Sequence, residues 1–226
     1  MGSQPTTERT TVRRRAHRGH YDRATIDAVL DAGAVCHLAV VGDDGEPVVL
    51  PTGYVRIGDE LVVHGSAANH LLRLVADGRP LSVAVTLLDG LVLARSTYNH
   101  SMNYRSVVVF GRGRVLEGDE KYAALEAFVD HIVPGRSAEA RPPTPKELAA
   151  TLVVAIPLDE ASAKVRTGPP SDPDDDMALP VWAGVVPLGL VVGKPEPDAA
   201  LAPTVAVPPS VLGLLSRNGP AAPSGR

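Results

Sequence analysis

Residues 82–113 read SVAVTLLDGLVLARSTYNHSMNYRSVVVFGRG and contain three β-rich runs, separated by Asp89-Gly90 and by the polar loop 97–103. The runs are 82–87, 91–96 and 104–110. Val, Leu and Thr dominate them, and β-branched residues favour a pleated strand over a helix. Asp89-Gly90 predicts a tight turn, because both residues tolerate the positive φ that short hairpins need. The pattern predicts the centre of a β-barrel with a binding site at its rim.

The composition of the whole chain narrows the class of protein. Its 226 residues are 44% hydrophobic and 21% charged, which suits one domain with tails. A net charge of −4 gives no general attraction to nucleic acid. The single cysteine, Cys36, excludes an intramolecular disulfide and a cysteine-cluster metal site. No apolar run approaches the ~18–20 residues of a membrane helix. We expect a cytoplasmic protein without a nucleic-acid or membrane partner.

Three segments are expected along the chain. Residues 1–20 are rich in Thr and Arg, and Val12 is their only aliphatic residue beyond Ala, so they predict a mobile basic arm. Residues 21–188 carry the strand and helix patterns and form the domain. Residues 189–226 accumulate Pro, Gly and Ala, which predicts an extended tail with one helical turn at 210–216.

Within the domain, strand and helix patterns follow one another in a barrel-like order. Strands are predicted at 35–41, 48–57, 61–64, 152–158, 161–167 and 181–187, beside the three central runs. Helices are predicted after the N-caps Asp22 and Thr144, with Glu147 in a capping box, and over 69–76 and 119–133. Hairpins followed by a helix and further strands predict a mainly β fold, a closed or split barrel with peripheral helices.

His64-Gly65-Ser66 stands at a predicted junction between a strand and a helix. Free N–H groups and the positive end of a helix dipole form an anion site, and a phosphate is the expected guest. The alternative is that Ser66 only caps the helix, and the local sequence does not decide between the two.

Tyr104-Arg105-Ser106 opens the third central strand. Alternation places Tyr104 and Ser106 on one face and Arg105 on the other. A hydroxyl and a guanidinium would suit a phosphate, although polar residues often begin a strand. Lys164 and Arg166 share a strand face that we expect to be solvated. The seven histidines form no pair with metal-ligand spacing, so no metal site is expected.

Taken together, residues 48–73, 87–113 and 162–188 resemble the pyridoxamine 5′-phosphate oxidase-like family of FMN-binding split barrels. The resemblance is nearest to the branch with nitroimidazole-reductase-type proteins. It implies a homodimer with two FMN molecules at the subunit interface. The oxidases' substrate-binding Arg and His near the C-terminus have no match in 182–188, so oxidation of pyridoxamine phosphate is not expected.

The resemblance also implies a set of cofactor contacts. They are Thr52 and Tyr54 beside the flavin ring; His64, Gly65 and Ser66 along the ring and ribityl chain; Ser106 and Trp182 as further contacts; and Asn69 and His70 at the phosphate. The oxidases place Arg and Lys where this chain has Asn69 and His70, so a cation such as Arg56, Arg105 or Lys164 would have to compensate.

The first functional hypothesis is an FMN-dependent oxidoreductase acting on a small molecule. The flavin would carry the electrons. No side chain would be an indispensable acid, base or nucleophile, since the chain offers no triad, no activated cysteine and no paired carboxylates near the rim. A second hypothesis is a flavin- or haem-binding protein without turnover, with His64 and His100 as candidate haem ligands. A third is a deazaflavin-dependent reductase. A flavin band or a Soret band would separate the first two.

Overall fold

The computed structural model describes residues 4–216 of the chain. The strands are β1 (Gly19–His20), β2 (Val35–Val41), β3 (Pro47–Ile57), β4 (Glu60–Ser66), β5 (Pro80–Leu93), β6 (Ser101–Arg112), β7 (Arg114–Val115), β8 (Thr151–Pro157), β9 (Glu160–Arg166) and β10 (Gly184–Pro187). The α-helices are α1 (Arg23–Ala32), α2 (His70–Ala76), α3 (Gly118–Ile132), α4 (Pro145–Ala150) and α5 (Pro209–Leu215). Short 3₁₀ turns occur at Glu8–Thr10, Ala16–Arg18, Thr97–Asn99, Ser137–Glu139 and Asp174–Asp176.

The strands form an antiparallel array that is split along β3. Their order is β1-β9-β6-β5-β2-β3-β4-β8-β7, and β10 pairs with β5. Residues 47–53 of β3 pair with β2, whereas residues 54–57 pair with β4. One strand therefore serves two sheets, and the prediction of a mainly β split barrel with peripheral helices is confirmed.

Two apolar clusters occupy the two faces of the sheet around β4. Val63 and Tyr54 belong to the main core inside the barrel. Val62 and Val55 belong to a second cluster that packs beneath Ala124 of α3. Because side chains alternate along a strand, the residue two positions after Val62 lies on the α3 side. That residue is His64.

The predicted turn at Asp89-Gly90 is wrong. β5 runs unbroken from Pro80 to Leu93, and its register with β6 shifts between Leu88 and Gly90. Asp89 is the extra residue of this bulge, and its carboxylate accepts two hydrogen bonds from Arg105, at 2.7 and 3.0 Å. Pairing with β6 on one side and β10 on the other outweighs the local turn preference.

The predicted helix cap at Ser66 is also wrong. Ser66 is the last residue of β4 and pairs with Thr151. Asn69 caps α2, and its side-chain oxygen accepts a 3.1 Å hydrogen bond from the N–H of Leu72. The junction therefore holds a strand end, a short turn and a separate cap. The predicted caps at Asp22 and Thr144 are confirmed.

Both terminal segments contact the domain where the structure describes them, the first at the barrel and the second at the 3₁₀ turn Ser137–Glu139. Thr10 is buried, the main-chain N–H of Val12 donates to the hydroxyl of Tyr21 at 2.9 Å, and β1 pairs with β9. At the other end, Ser210 at the start of α5 donates to the carboxylate of Glu139. Within residues 4–216, no helix has the length and apolar character needed to cross a membrane.

Candidate functional site

The functional side chains gather around two separate pockets. The first, the histidine pocket, has a volume of about 500 Å³ and lies between α3 and the chain leading to α4. His64, Leu125, Phe128, Val129 and Pro142 are among its lining residues. The second, the cationic pocket, has a volume of about 450 Å³ and lies between the 3₁₀ turn Ala16–Arg18 and β9. Arg14, Arg15, Arg18, Lys164 and Arg166 are among its lining residues.

His64 is the polar group at the apolar wall of the histidine pocket. Its ring meets the Phe128 ring edge-on, with the centroids 4.2 Å apart and the planes at 81°. Burial lowers the pKa of His64, so the imidazole is neutral at neutral pH. Among the described residues, none forms a hydrogen bond with its ring nitrogens. A neutral imidazole with an available lone pair is a metal ligand or a hydrogen-bond partner for a bound group.

The ring of Phe128 packs against Gly53, at the position where β3 passes from one sheet to the other. A Cβ atom on Gly53 would lie 2.7 Å from Cζ of Phe128, closer than real contacts allow. Only glycine therefore lets the ring of α3 approach the β3 backbone here. The wall of the histidine pocket consequently depends on the split in the barrel.

Two of the three charged side chains that line the histidine pocket form an ion pair, and the third is Glu126. Arg141 donates two hydrogen bonds to Glu147, at 2.8 and 2.6 Å. Arg141, together with Thr144, lowers the pKa of Glu147 to about 2. Besides this pair, the pocket is lined by the imidazole of His64, by Glu126 and Ser137, and by apolar side chains.

The cationic pocket has the opposite chemistry. Arg166 is only 7% exposed, and its guanidinium donates to Asn103 and to the carbonyls of Gly168 and Pro169. Its Nε has no hydrogen-bond partner among residues 4–216. The expectation of a solvated face for Lys164 and Arg166 is wrong for Arg166, because the 3₁₀ turn carrying Arg18 packs against β9.

Two predicted ring contacts lie on the other side of the sheet from His64. Tyr54 is wholly buried in the main core, and its hydroxyl donates to the carbonyl of Leu30 at 2.6 Å. Thr52, two residues earlier, shares that face and is half-buried. The structure therefore assigns the Tyr54 side chain to the core and does not bring it together with His64.

The predicted phosphate position beside α2 holds one free cation, Arg73, which lines a surface pocket with His70 and Asp43 and forms no ion pair among residues 4–216. Asn69 is occupied as the helix cap, and Nε2 of His70 lies 3.7 Å from the carboxylate of Asp43. Gly65 and Ser66 continue β4 beside them, where they pair with β8. The four residues lie close together, and the Asp43 carboxylate beside them is also bound by Arg79.

Of the three candidate compensating cations, two are committed to carboxylates. Arg56 binds Asp31 at 2.7 and 2.6 Å, and Arg105 binds Asp89. Lys164 has no ion-pair partner within the described residues and lines the cationic pocket. Ser106, on the neighbouring strand, donates to the carbonyl of Lys164 at 3.3 Å.

The remaining predicted contact, Trp182, is 65% exposed and precedes β10. Its ring lies against the start of β10, since a Cβ on Gly184 would be 3.0 Å from the ring. Trp182 lines neither pocket. Cys36 is wholly buried, and burial raises the pKa of its thiol to about 12, so it is not an activated nucleophile.

Sequence reasoning missed the arginines of the cationic pocket and the ring of Phe128. The run Arg13-Arg14-Arg15 was the available signal, but its composition predicts an arm. The strand pairing of β1 with β9, which brings the arginines to Lys164, joins distant parts of the chain.

Comparisons with known proteins agree with this architecture. The family model for pyridoxamine 5′-phosphate oxidase matches residues 22–165. A comparison with curated proteins gave no match.

Three solved structures are informative. The flavocytochrome Anf3 from Azotobacter vinelandii is 40% identical, with a TM-score of 0.87 over 93% of this chain and 98% of that one. The FAD and haem binding protein from Mycobacterium smegmatis is 44% identical, with a TM-score of 0.84 over 87% of this chain and 97% of that one. A candidate 5-nitroimidazole antibiotic resistance protein from Bacteroides thetaiotaomicron shares the fold at 19% identity and a TM-score of 0.55, over 65% of this chain and 86% of that one.

Proposed function

Because the chain belongs to the pyridoxamine 5′-phosphate oxidase family, we propose that it is a redox protein that binds both a flavin and a haem. One observation carries the haem: His64, neutral and without a protein partner among the described residues, lines an apolar pocket of about 500 Å³. The two relatives at 40% and 44% identity, one a flavocytochrome and the other a protein of FAD and haem, support the pairing.

The residues of the histidine pocket fit a porphyrin better than a charged ligand. An imidazole nitrogen is a common axial ligand of haem iron. Leu125, Phe128 and Val129 offer apolar surface to a flat, apolar ring, and the rim pair Arg141–Glu147 is charge-balanced. In this proposal His64 holds the iron and Phe128 fixes the imidazole plane. A bound haem supplies one-electron chemistry, and a bound flavin supplies hydride or single-electron transfer.

The flavin is proposed to be FAD. The sequence predicts FMN, and the relative at 44% identity is a protein of FAD. The protein's part is to bind and orient the cofactors, and no side chain is proposed as an acid, base or nucleophile. The buried thiol of Cys36 supports this, because its raised pKa keeps it protonated. We further propose that the protein acts as an oxidoreductase on a small molecule in the cytoplasm.

Absorption spectra and released cofactors test both bindings. Protein loaded with FAD and haemin should show flavin bands and a Soret band, and chromatography of the released flavin should distinguish FAD from FMN. His64→Ala should lose the Soret band and keep the flavin. His100→Ala is the matched control, because His100 lines the cationic pocket. A Soret band that survives His64→Ala and is lost in His100→Ala would move the haem to the other pocket.

A homodimer is also part of the proposal. Val35, Val41 and Val49 share the outer face of β2 and β3, and they are 56%, 52% and 58% exposed. Exposed aliphatic residues on one sheet face favour contact with a second copy of the chain. Light scattering should give about twice the chain mass of 23.6 kDa. A single-chain mass in the cofactor-loaded protein would contradict the dimer.

A further inference from the structure

We propose that the cationic pocket is a binding site for the diphosphate group of a nucleotide. Five cationic side chains, Arg14, Arg15, Arg18, Lys164 and Arg166, line this one pocket. Within residues 4–216, none of the five forms an ion pair with a carboxylate, and no Asp or Glu lines the pocket. So many like charges repel one another unless an anion joins them.

The nearest acid along the chain is already committed. Ser171 lines the pocket, and Asp172 follows it. The Asp172 side chain is buried and accepts hydrogen bonds from the main-chain N–H and the guanidinium of Arg95, the latter at 2.8 Å. Its carboxylate is turned to Arg95, so the charges of the pocket remain for a ligand.

Arg166 is a second, independent observation that points to an anion site. It is more than nine-tenths buried, its Nε lacks a hydrogen-bond partner, and its other donors reach only neutral oxygens. Burial and the charge of Arg18 both lower its pKa, which means that its cationic form is disfavoured in the protein alone. A bound anion would relieve both effects.

Arg15 adds backbone strain to the same place. It is the one non-glycine residue within 4–216 with a left-handed backbone, at φ 58° and ψ 52°. Such a conformation is unfavourable for a residue with a Cβ and tends to persist at functional sites. The strain sets the start of the turn Ala16–Arg18, which presents Arg18 beside Arg166.

The size and the remaining lining select a diphosphate on a nucleotide over a lone phosphate. Five cations exceed the charge of one phosphate, and guanidinium groups match phosphate oxygens in pairs. About 450 Å³ holds more than the diphosphate itself. Tyr98, which is 93% exposed, and Tyr104 offer aromatic faces on which a base can stack.

Two kinds of ligand contain a diphosphate group of this type. One is the diphosphate of FAD, in which case the inference rests on the proposed flavin binding. The other is a separate nucleotide, for which ADP is the probe. Riboflavin, which has no phosphate, serves as the reference flavin. Calorimetric titrations of the full chain at low ionic strength with ADP, inorganic pyrophosphate, FAD and riboflavin separate these cases, since ADP binding does not require that the protein bind a flavin.

The test variant is Arg18→Gln with Lys164→Gln. Its charge-matched control is Lys146→Gln with Lys194→Gln, two exposed cations outside the pocket. We expect affinity for pyrophosphate and ADP to fall by about tenfold or more in the test variant, as for lost charge-assisted hydrogen bonds, and to be little changed in the control. If FAD affinity falls too while riboflavin affinity does not, the diphosphate is that of the flavin. If FAD affinity is unchanged, it is that of a separate nucleotide.

A second variant distinguishes a loss of binding from a loss of folding. Arg15→Gly removes one charge and also the left-handed strain, so its melting temperature should not fall. Its affinity for pyrophosphate should nevertheless decrease severalfold. Equal losses in the test and control pairs would mean a general charge effect and would overturn the proposal. So would a wild-type protein that binds neither pyrophosphate, ADP nor FAD.

Discussion

The histidine pocket and the cationic pocket have similar volumes, about 500 and 450 Å³, but burial acts on them in opposite ways. In the histidine pocket, burial removes a charge, because the pKa of His64 is lowered and the imidazole stays neutral. In the cationic pocket, Arg166 remains buried with its charge and without a carboxylate partner within the described residues. A histidine can release its proton, whereas a guanidinium cannot do so near neutral pH.

The two pockets also differ in the parts of the chain that form them. The histidine pocket shares the side chain of Phe128 with the cluster beneath α3, so it is coupled to the fold. The cationic pocket draws three arginines from an exposed segment that precedes the domain core. Damage to the first should therefore cost stability, while neutralisation of the second should cost binding.

Phe128→Ala should have the largest effect. It removes the ring that packs against Gly53 and against His64. Truncating a fully buried Phe to Ala typically costs ~3–5 kcal/mol, and for this partly buried ring we expect a loss of about 2–3 kcal/mol in the free energy of unfolding. The histidine pocket should also lose haem affinity, while ADP binding stays the same.

Ile132→Ala on the same helix is the control for Phe128→Ala. Ile132 is 44% exposed and does not line the histidine pocket. Its free energy of unfolding from denaturant titration should change by less than about 1 kcal/mol. Equal losses in the two variants would contradict the special position of Phe128, and a parallel loss of ADP affinity would contradict the independence of the two pockets.

Gly53→Ala should act on the same wall with a smaller effect. The new Cβ would overlap the end of the Phe128 ring, and the ring or the helix has to move. Overpacking of this kind typically costs about 1–3 kcal/mol. We expect a lowered melting temperature and a shifted Soret band in the haem-loaded protein. Gly189→Ala is the control, because a Cβ there meets no atom within 4 Å. A Gly53→Ala protein with the wild-type melting temperature and spectrum would refute the close approach.

Most of the fold could be predicted from local patterns. The helix caps Asp22 and Thr144 and the alternation of Tyr104, Arg105 and Ser106 all hold in the structure. The wrong predictions occur where pairing between strands that are distant in sequence determines the local structure. Asp89-Gly90 has the composition of a turn, but pairing with β6 and β10 makes it a bulge.

The site was predictable only in part, for the same reason. His64 follows from the resemblance, yet its ring partner comes from α3, which no local pattern links to β4. Arg56 and Arg105 had the right charge for a phosphate, but each binds a carboxylate that the sequence does not place beside it. The three arginines of the cationic pocket have the composition of an arm, and only their contact with β9 makes them a site.

The smallest effect, and the most selective one, is expected from pH. Because burial lowers the pKa of His64 in the folded protein, the unfolded chain takes up a proton at this residue at a higher pH than the folded chain does. The stability that neutral His64 contributes is therefore complete above the unfolded pKa of about 6.5 and is lost as the pH falls below it. Arginine is cationic throughout this range, so replacing Arg18 removes no titrating group. We expect the unfolding free energy of cofactor-free wild type, measured relative to His64→Gln by denaturant titration, to decrease from pH 7.5 to 5.5, whereas the same difference relative to Arg18→Gln should stay constant. If the difference in unfolding free energy between wild type and His64→Gln does not vary with pH, His64 has the same pKa in the folded and the unfolded chain. Burial would then not neutralise His64, and the proposed contrast between the two pockets would be wrong.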